Sequence, residues 1–368
     1  MSTPPIRVAV AGGGTGGHLY PGVAVARRFK VRCPGSQIVF LGRQGGFETQ
    51  VLEHEGFPLH TVWVKAFRGR SKLSQARALV TLAIGVLQAA KILRCIRPHL
   101  VIGTGGYVMA PAVLAATLLR IPRVIMEQNL IPGAAVRSLA RFAQMVFSSF
   151  PETDAYLSKA PVACTGTPVR QEIYEIGRAS GKPHNGVLHV LVVGGSQGAH
   201  RINRAVVDAL PLLESHQHSL RMAHQTGEAD CDDVAQAYQQ TTIEAEVAPF
   251  FYDMAERYRW ADLVLCRAGA STLAELTACG KAAILLPYPH AADDHQRLNA
   301  LALQRRGAAQ VILDNELTGE QLYQTMDGLL THPERLHQQA EHSRRFGKPQ
   351  AADAIVTLCL QLIGSPVA

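Results

Sequence analysis

Between residues 65 and 97 the chain contains no aspartate and no glutamate, yet Lys65, Arg68, Arg70, Lys72, Arg77, Lys91, Arg94 and Arg97 all fall there. The other 28 of the 36 basic residues face 29 acidic ones. The net charge of +7 therefore belongs to one segment, not to a generally basic surface. That segment also lacks aromatic interleaving and any nucleic-acid module, which argues against a nucleic-acid partner.

Other absences narrow the class. Seven cysteines, an odd number, are scattered with no CxxC pair. This argues against a disulfide framework or a zinc ribbon and predicts reduced thiols in the cytoplasm. No uncharged apolar run reaches 18 residues; the nearest, Ala78–Ala90, is short for a membrane span. The opening MSTPPIRVAVAGGG goes straight into strand residues and glycines, without the apolar region of a signal peptide.

What is present is a phrase written twice. Residues 8–18 read VAVAGGGTGGH and residues 190–200 read VLVVGGSQGAH. Each is a β-branched run, a glycine cluster and a stretch able to open a helix. Such a turn offers backbone N–H groups and a helix dipole to an anion. Strands alternate with helical stretches through both halves, which predicts an α/β fold of doubly wound parallel sheets. At 368 residues and 47% apolar content the chain can build two cored domains. We expect an N-terminal domain over 1–166, a C-terminal domain over 167–345, and a last helix within 346–368 that packs back on the first. The two halves would face each other across a cleft.

The first loop, Gly12-Gly13-Gly14-Thr15-Gly16-Gly17, formally matches GxGxxG. A dinucleotide site should add an acid after the second strand. That strand ends Phe40-Leu41-Gly42-Arg43 instead, which disfavours NAD and leaves NADP open through Arg43. The second loop, Gly194-Gly195-Ser196-Gln197-Gly198, lacks the acid too. His18 directly follows the first loop. It reads either as a capping or packing histidine or as a general base for a sugar hydroxyl, since imidazole titrates near neutrality.

The segment 260–299 is the richest. A strand ending at Cys266 leads through Arg267-Ala268-Gly269-Ala270 into a helix at Ser271-Thr272. Glu275 in its first turn is placed either to complement the dipole or to accept ribose hydroxyls. His290, Asp293, Asp294 and His295, and the nominal DxD of Asp230-Cys231-Asp232, invite a metal reading. The DxD falls in a helical stretch, where i and i+2 diverge, and glycine loops with helix dipoles can stabilise a leaving diphosphate without metal. We expect no metal and no cofactor.

These stretches, with AGGGTGGHLYPG at 11–22, GTGGYVMAPAVLAA at 103–116, EQNLIPG at 127–133, GTPVR at 166–170, GGSQGAHRIN at 194–203 and HQTG at 224–227, run in order along nearly the whole chain. Together they resemble the two-Rossmann GT-B glycosyltransferases. More closely, they resemble the bacterial family that adds N-acetylglucosamine to lipid-linked N-acetylmuramyl pentapeptide in peptidoglycan synthesis.

The resemblance implies roles. His18 would be the base. Thr15, Gly16 and Gly17 would contact the sugar nucleotide or the acceptor diphosphate, and Gly14, Gly105 and Gly106 would serve that diphosphate. Asn129, Arg170 and Ser196 would belong to the UDP-N-acetylglucosamine site, with a backbone contact from Phe251 to uracil. Ala270, Ser271, Thr272, Leu273, Ala274 and Glu275 would hold diphosphate and ribose; Gln296 and Asn299 would read the sugar. The transfer would be inverting, onto the 4-hydroxyl of the muramyl unit. The acceptor would be a polyprenyl diphosphate held in the bilayer, so Lys65, Arg68, Arg70, Lys72, Arg77, Leu79, Leu82 and Val86 would form a patch for anionic lipid on the cytoplasmic face. Cell-wall synthesis proteins are further partners the resemblance suggests. A 2-epimerase and a diacylglycerol glycosyltransferase are the alternatives within the same fold.

Overall fold

The computed structural model describes residues 5–43, 47–64, 72–178, 186–195 and 198–364. The chain divides into two compact units, Met1–Arg170 with Gln350–Ala368, and Gln171–Pro349.

In the first unit the strands are β1 (Arg7–Ala11), β2 (Gln37–Gly42), β3 (Leu59–Thr61), β4 (Leu100–Gly103), β5 (Arg123–Glu127), β6 (Met145–Ser148) and β7 (Val162–Cys164). Its helices are α1 (Gly16–Arg32), α2 (Phe47–His54), α3 (Lys72–Ile96), α4 (Ala110–Leu118) and α5 (Ala134–Leu139). The strands pair in the order β3-β2-β1-β4-β5-β6-β7, all parallel. β1 and β4 are apolar along nearly their whole length because helices cover both faces of a parallel sheet. Val8 and Val10 pack into the layer holding Leu19, Val25 and Phe29 of α1. Ala9 and Ala11 face the opposite layer, with Ala89, Leu93, Ala112 and Val113.

The second unit contains α6 (Gln171–Arg178), β8 (Leu188–Val193), α7 (His200–Leu213), β9 (Leu220–Gln225), α8 (Cys231–Gln239), β10 (Glu244–Ala248), α9 (Met254–Trp260), β11 (Leu263–Cys266), α10 (Ala270–Cys279), β12 (Ala282–Leu285), α11 (His295–Gln304), β13 (Gln310–Val311), α12 (Gly319–Leu330) and α13 (Pro333–Phe346). Its parallel sheet runs β10-β9-β8-β11-β12-β13. The last helix, α14 (Ala351–Leu362), belongs to the first unit. Its Ile355, Val356, Cys359 and Leu360 enter the core with Val8 and Phe29, and Asp353 pairs with Arg28 of α1 at 2.5 Å.

Both sheets reverse strand order once, between β1 and β4 in the first unit and between β8 and β11 in the second. Ligands of open α/β sheets bind beyond the carboxyl ends of strands at such switch points. The loops leaving these strands each carry glycine: 12–15, 104–106, 267–269 and the described residues 194–195 and 198–199.

A buried polar network braces the second unit. His224 is fully buried on β9; Nε2 meets Asn203 Oδ1 at 3.0 Å and Nδ1 meets Tyr238 Oη at 3.3 Å. Burial pushes its pKa from 6.5 down to about 3, against a partial opposing pull from Asp230. The folded ring therefore stays neutral where an unfolded histidine takes up a proton. Stability is fully present above pH 6.5 and falls as pH drops toward 3, by up to about 1.4 kcal/mol per pH unit. Urea midpoints measured from pH 7 to 4 should fall in the wild type and fall less in a His224→Gln variant.

Candidate active site

At the first switch point, α1 begins without a side-chain cap; the N–H groups of His18 and Leu19 both bond to the Thr15 carbonyl at 3.2 Å. His18 sits in the first helical turn, half-buried, and its Nδ1 lies 3.1 Å from Gln128 Oε1 on the loop after β5. Gln128 in turn donates through Nε2 to the Thr104 carbonyl at 2.9 Å. Three loops separated along the chain thus meet at one imidazole. Gly105 and Gly106 lie directly against it. A Cβ on Gly105 would stand 2.6 Å from His18 Nδ1, and one on Gly106 would stand 3.1 Å from His18 Cδ2.

Glu127, the last residue of β5, opens the EQNLIPG stretch, where no motif gave it a role. It is nearly fully buried, and its carboxylate accepts from the Asn129 N–H at 2.9 Å, Asn129 Nδ2 at 3.1 Å and the Gly133 N–H at 2.9 Å. Burial raises its pKa, while those backbone donors pull it back. Glu127 shapes the loop from which Gln128 and Asn129 project, and Asn129 is fixed by it. Arg170 stacks over Tyr20 of α1, its guanidinium carbon 5.8 Å from the ring centroid.

Gly14 departs from its expected use. Its N–H donates to Glu48 Oε1 of α2, so the amide assigned to a diphosphate is occupied by a carboxylate from the same unit. An anion on this loop must displace Glu48 or use the neighbouring amides. No acid spaced along the sequence like a ribose ligand signalled this, since the two residues meet only through the fold.

At the second switch point, α10 starts at Ala270 with no side-chain cap. Its first intrahelical bond is Leu273 N–H to the Gly269 carbonyl at 3.0 Å. Ala270, Ser271 and Thr272 are therefore the positions whose amides lie beyond the helical ladder. Leu273 is buried with its amide engaged, so it serves the core and not an anion. Ala274 is half-buried one residue further on. Glu275 is half-buried and accepts from Tyr258 Oη at 3.2 Å. Its charge also adds to burial in pushing the Cys266 thiol up to about 12, which places the carboxylate near the end of β11. Ser196 lies outside the described residues.

Phe251 is buried under the Arg257 guanidinium, 4.0 Å from its ring centroid, and its N–H donates to Gln225 Oε1 at 2.9 Å. A backbone contact to a nucleobase at Phe251 must therefore run through its carbonyl or displace Gln225. Gln296 accepts the Tyr288 N–H at 2.9 Å and sits beside a cavity of about 350 Å³ lined by Arg201, Tyr288, His290, Asp294, Arg297 and Asp314. Asn299 is a correction to the sequence reading. It is fully buried in α11, and its side chain is not presented to a sugar. A larger hollow of about 660 Å³ lies near the amino ends of β8, β9 and β10, walled by the ion pairs Arg221–Glu244 and Arg257–Glu246. It lies near the strand ends opposite the glycine loops.

Of the DxD, Asp230 is committed to His200 Nδ1 at 3.0 Å and Asn203 Nδ2 at 2.7 Å. Among the described residues no three His, Cys, Asp or Glu side chains converge as a metal site.

The basic segment is partly described. Lys65, Arg68, Arg70 and the side chain of Lys72 lie outside the described residues. From Arg77 onward, α3 turns Gly85, Ala89, Ala90 and Leu93 inward, and Leu82 and Val86 are half-buried. Leu79, Val80 and Leu87 point out, at 60%, 61% and 71% exposure, and Trp63 beside the helix is 56% exposed. Trp63 was not singled out in the sequence; its N–H donates to Gln88 Oε1 of α3 at 2.7 Å. By length and composition alone, Arg77–Ile96 of α3 is long and apolar enough to cross a membrane, with a mean hydropathy of 1.8. Its small-residue face is nonetheless built into the first unit's core: a Cβ on Gly85 would stand 2.6 Å from the Trp63 carbonyl and 3.1 Å from Pro111.

Comparison with known proteins places these features. The N-terminal domain of glycosyltransferase family 28 matches residues 8–148, and its C-terminal domain matches residues 189–355. The UDP-N-acetylglucosamine–N-acetylmuramyl-(pentapeptide) pyrophosphoryl-undecaprenol N-acetylglucosamine transferase of Geobacter sulfurreducens is 45% identical, with 95% of this chain and 97% of that protein covered. The crystal structure of Acinetobacter baumannii MurG superposes with a TM-score of 0.80 at 32% identity, covering 97% of this chain and all of that one. The Neisseria meningitidis UDP-GlcNAc 2-epimerase bound to UDP-GlcNAc, with a TM-score of 0.68 at 13% identity, shares the fold alone. The two parallel-sheet units are thus the GT-B architecture, and the chain belongs to glycosyltransferase family 28, in the family of UDP-N-acetylglucosamine–N-acetylmuramyl-(pentapeptide) pyrophosphoryl-undecaprenol N-acetylglucosamine transferases.

Proposed function

We propose that this protein transfers N-acetylglucosamine from UDP-N-acetylglucosamine to the 4-hydroxyl of N-acetylmuramyl-(pentapeptide)-pyrophosphoryl-undecaprenol, with inversion at C1. The observation that carries this is the 45% identity to a transferase of that name over 95% of the chain. The site geometry supports it: an imidazole held at one switch point, and at the other a helix start without a side-chain cap, with Glu275 in the second turn of that helix. The hydroxyl oxygen attacks C1, its proton passes to His18, and the C1–O bond to the diphosphate breaks with its electron pair leaving on UDP. Thr15, Gly16 and Gly17 contact the UDP-N-acetylglucosamine or the acceptor diphosphate, and Gly105 and Gly106 serve that diphosphate. The amides of 270–272 stabilise the departing charge. Incubation with UDP-N-acetylglucosamine and a short-chain lipid-linked muramyl pentapeptide should yield a β-1,4-linked disaccharide; an α-linked product, or a product with free UDP-sugar epimerised at C2, would contradict this.

Glu275 is assigned to the ribose, where a carboxylate accepts hydrogen bonds from the 2′- and 3′-hydroxyls. Glu275→Ala should weaken UDP binding by about tenfold or more, the size of a lost charge-assisted pair. Calorimetric titration of UDP checks this, and unchanged affinity would remove the assignment.

The same reading puts the protein on the cytoplasmic membrane face as a peripheral enzyme. The outward Leu79, Val80 and Leu87, with Trp63 at their flank and Arg77 in the same helix, give an apolar stripe bordered by positive charge. Buried apolar side chains and basic residues, at about 1 kcal/mol each near an anionic surface, suffice for reversible binding. A Leu79→Asp, Leu87→Asp double variant should co-float with anionic vesicles at least tenfold less, with turnover of a water-soluble acceptor retained.

A further inference from the structure

Histidine has two ring nitrogens, and only one can take a proton from substrate in the neutral form. Which one is decided here by Gln128. Its amide lies between the Thr104 carbonyl and His18 Nδ1, at 2.9 and 3.1 Å. A carbonyl can only accept, so the nitrogen of the amide faces Thr104 and the oxygen faces the imidazole; the reverse orientation would set two oxygens against each other. An amide oxygen can only accept as well. His18 must therefore present Nδ1 as N–H, and the lone pair of the neutral ring resides on Nε2.

We propose that Gln128 is a positioning residue that fixes His18 in its Nδ1–H tautomer, so that Nε2 is the atom that receives the proton from the acceptor hydroxyl. The proposal rests on the reading of His18 as the base. Gln128 is 2% exposed and anchored at both ends, so its orientation is set before substrate arrives. Gly105 completes the clamp. Its built Cβ would lie 2.6 Å from Nδ1 and 3.1 Å from Gln128 Oε1, so no side chain can stand between the two groups. The acids on the neighbouring elements are engaged elsewhere: Glu48 of α2 holds the Gly14 N–H, and Glu127 of β5 holds the Asn129 and Gly133 N–H groups. The Gln128 acceptor is uncharged, so this contact holds the ring without the added basicity a carboxylate would bring.

The direct test is nitrogen NMR of the wild-type protein labelled with ¹⁵N-histidine, the His18 signals being assigned by their loss in His18→Gln. A protonated Nδ1 and an unprotonated Nε2 are expected; the opposite pattern overturns the proposal. Kinetics gives a second reading. Gln128→Leu should lower kcat about 10- to 100-fold, as for loss of a supporting hydrogen bond, with the KM for UDP-N-acetylglucosamine within about twofold. Gln128→Glu keeps an acceptor for Nδ1 but sets its second oxygen against the Thr104 carbonyl, so it should restore kcat only in part, while its negative charge favours the imidazolium and should move the acid limb of the kcat profile up by about one pH unit. An unmoved limb with wild-type kcat in both variants would contradict the proposal. Full activity of His18→Ala would instead refute the base assignment, and the NMR result would still decide the tautomer.

Discussion

His18→Ala is expected to lower kcat by about 10²- to 10⁴-fold, the usual worth of a positioned general base, while UDP affinity stays within about twofold. Inversion at C1 needs the acceptor hydroxyl to lose its proton as the new bond forms. The imidazole is the titratable ring that the first unit holds at its switch point, on the first turn of α1 and against the Gly105-Gly106 turn. The expected split follows from where the residues lie. The diphosphate and ribose assignments fall on α10 of the second unit, whereas His18 belongs to the first. Single-turnover kinetics with a soluble acceptor, alongside titration of UDP, measures both quantities. A variant with near-normal kcat would remove His18 from the mechanism. One with weakened UDP binding and normal kcat would make it a donor ligand.

A single methyl group should do nearly as much damage at Gly105. That residue has φ +106, a conformation that side chains rarely adopt, and its Cβ would meet His18 Nδ1 at 2.6 Å and Cε1 at 2.9 Å. The imidazole cannot yield toward Gln128, whose oxygen already stands 3.1 Å away. Gly105→Ala should therefore cost about 1 to 3 kcal/mol in backbone strain and displace the ring, with kcat reduced about 100-fold or more. Far-ultraviolet circular dichroism and the melting temperature separate the two effects. A folded protein with normal kcat would show that the glycine turn does not position the base.

Much of the site was legible because strand, glycine cluster and helix start form a local pattern. The doubly wound sheets, the loops at 12–17, 103–106 and 267–270, and the start of α10 could all be read within a few residues. What escaped depends on contacts between distant parts of the chain. Gln128 meets His18 across 110 residues. Glu48 reached Gly14 and Gln225 reached the Phe251 amide without any motif to announce them. Asn299 misled because a polar residue next to a sugar-reading segment looks like a ligand, yet its place on α11 turns it into the core.

Sugar transfer by this protein depends on the acceptor. The measurement is the initial rate of UDP release from UDP-N-acetylglucosamine with and without a short-chain pyrophosphoryl N-acetylmuramyl pentapeptide. The prediction is release that requires the acceptor, saturates with it, and matches the disaccharide formed one for one. UDP release at the same rate without acceptor, or none with it, would contradict the assignment.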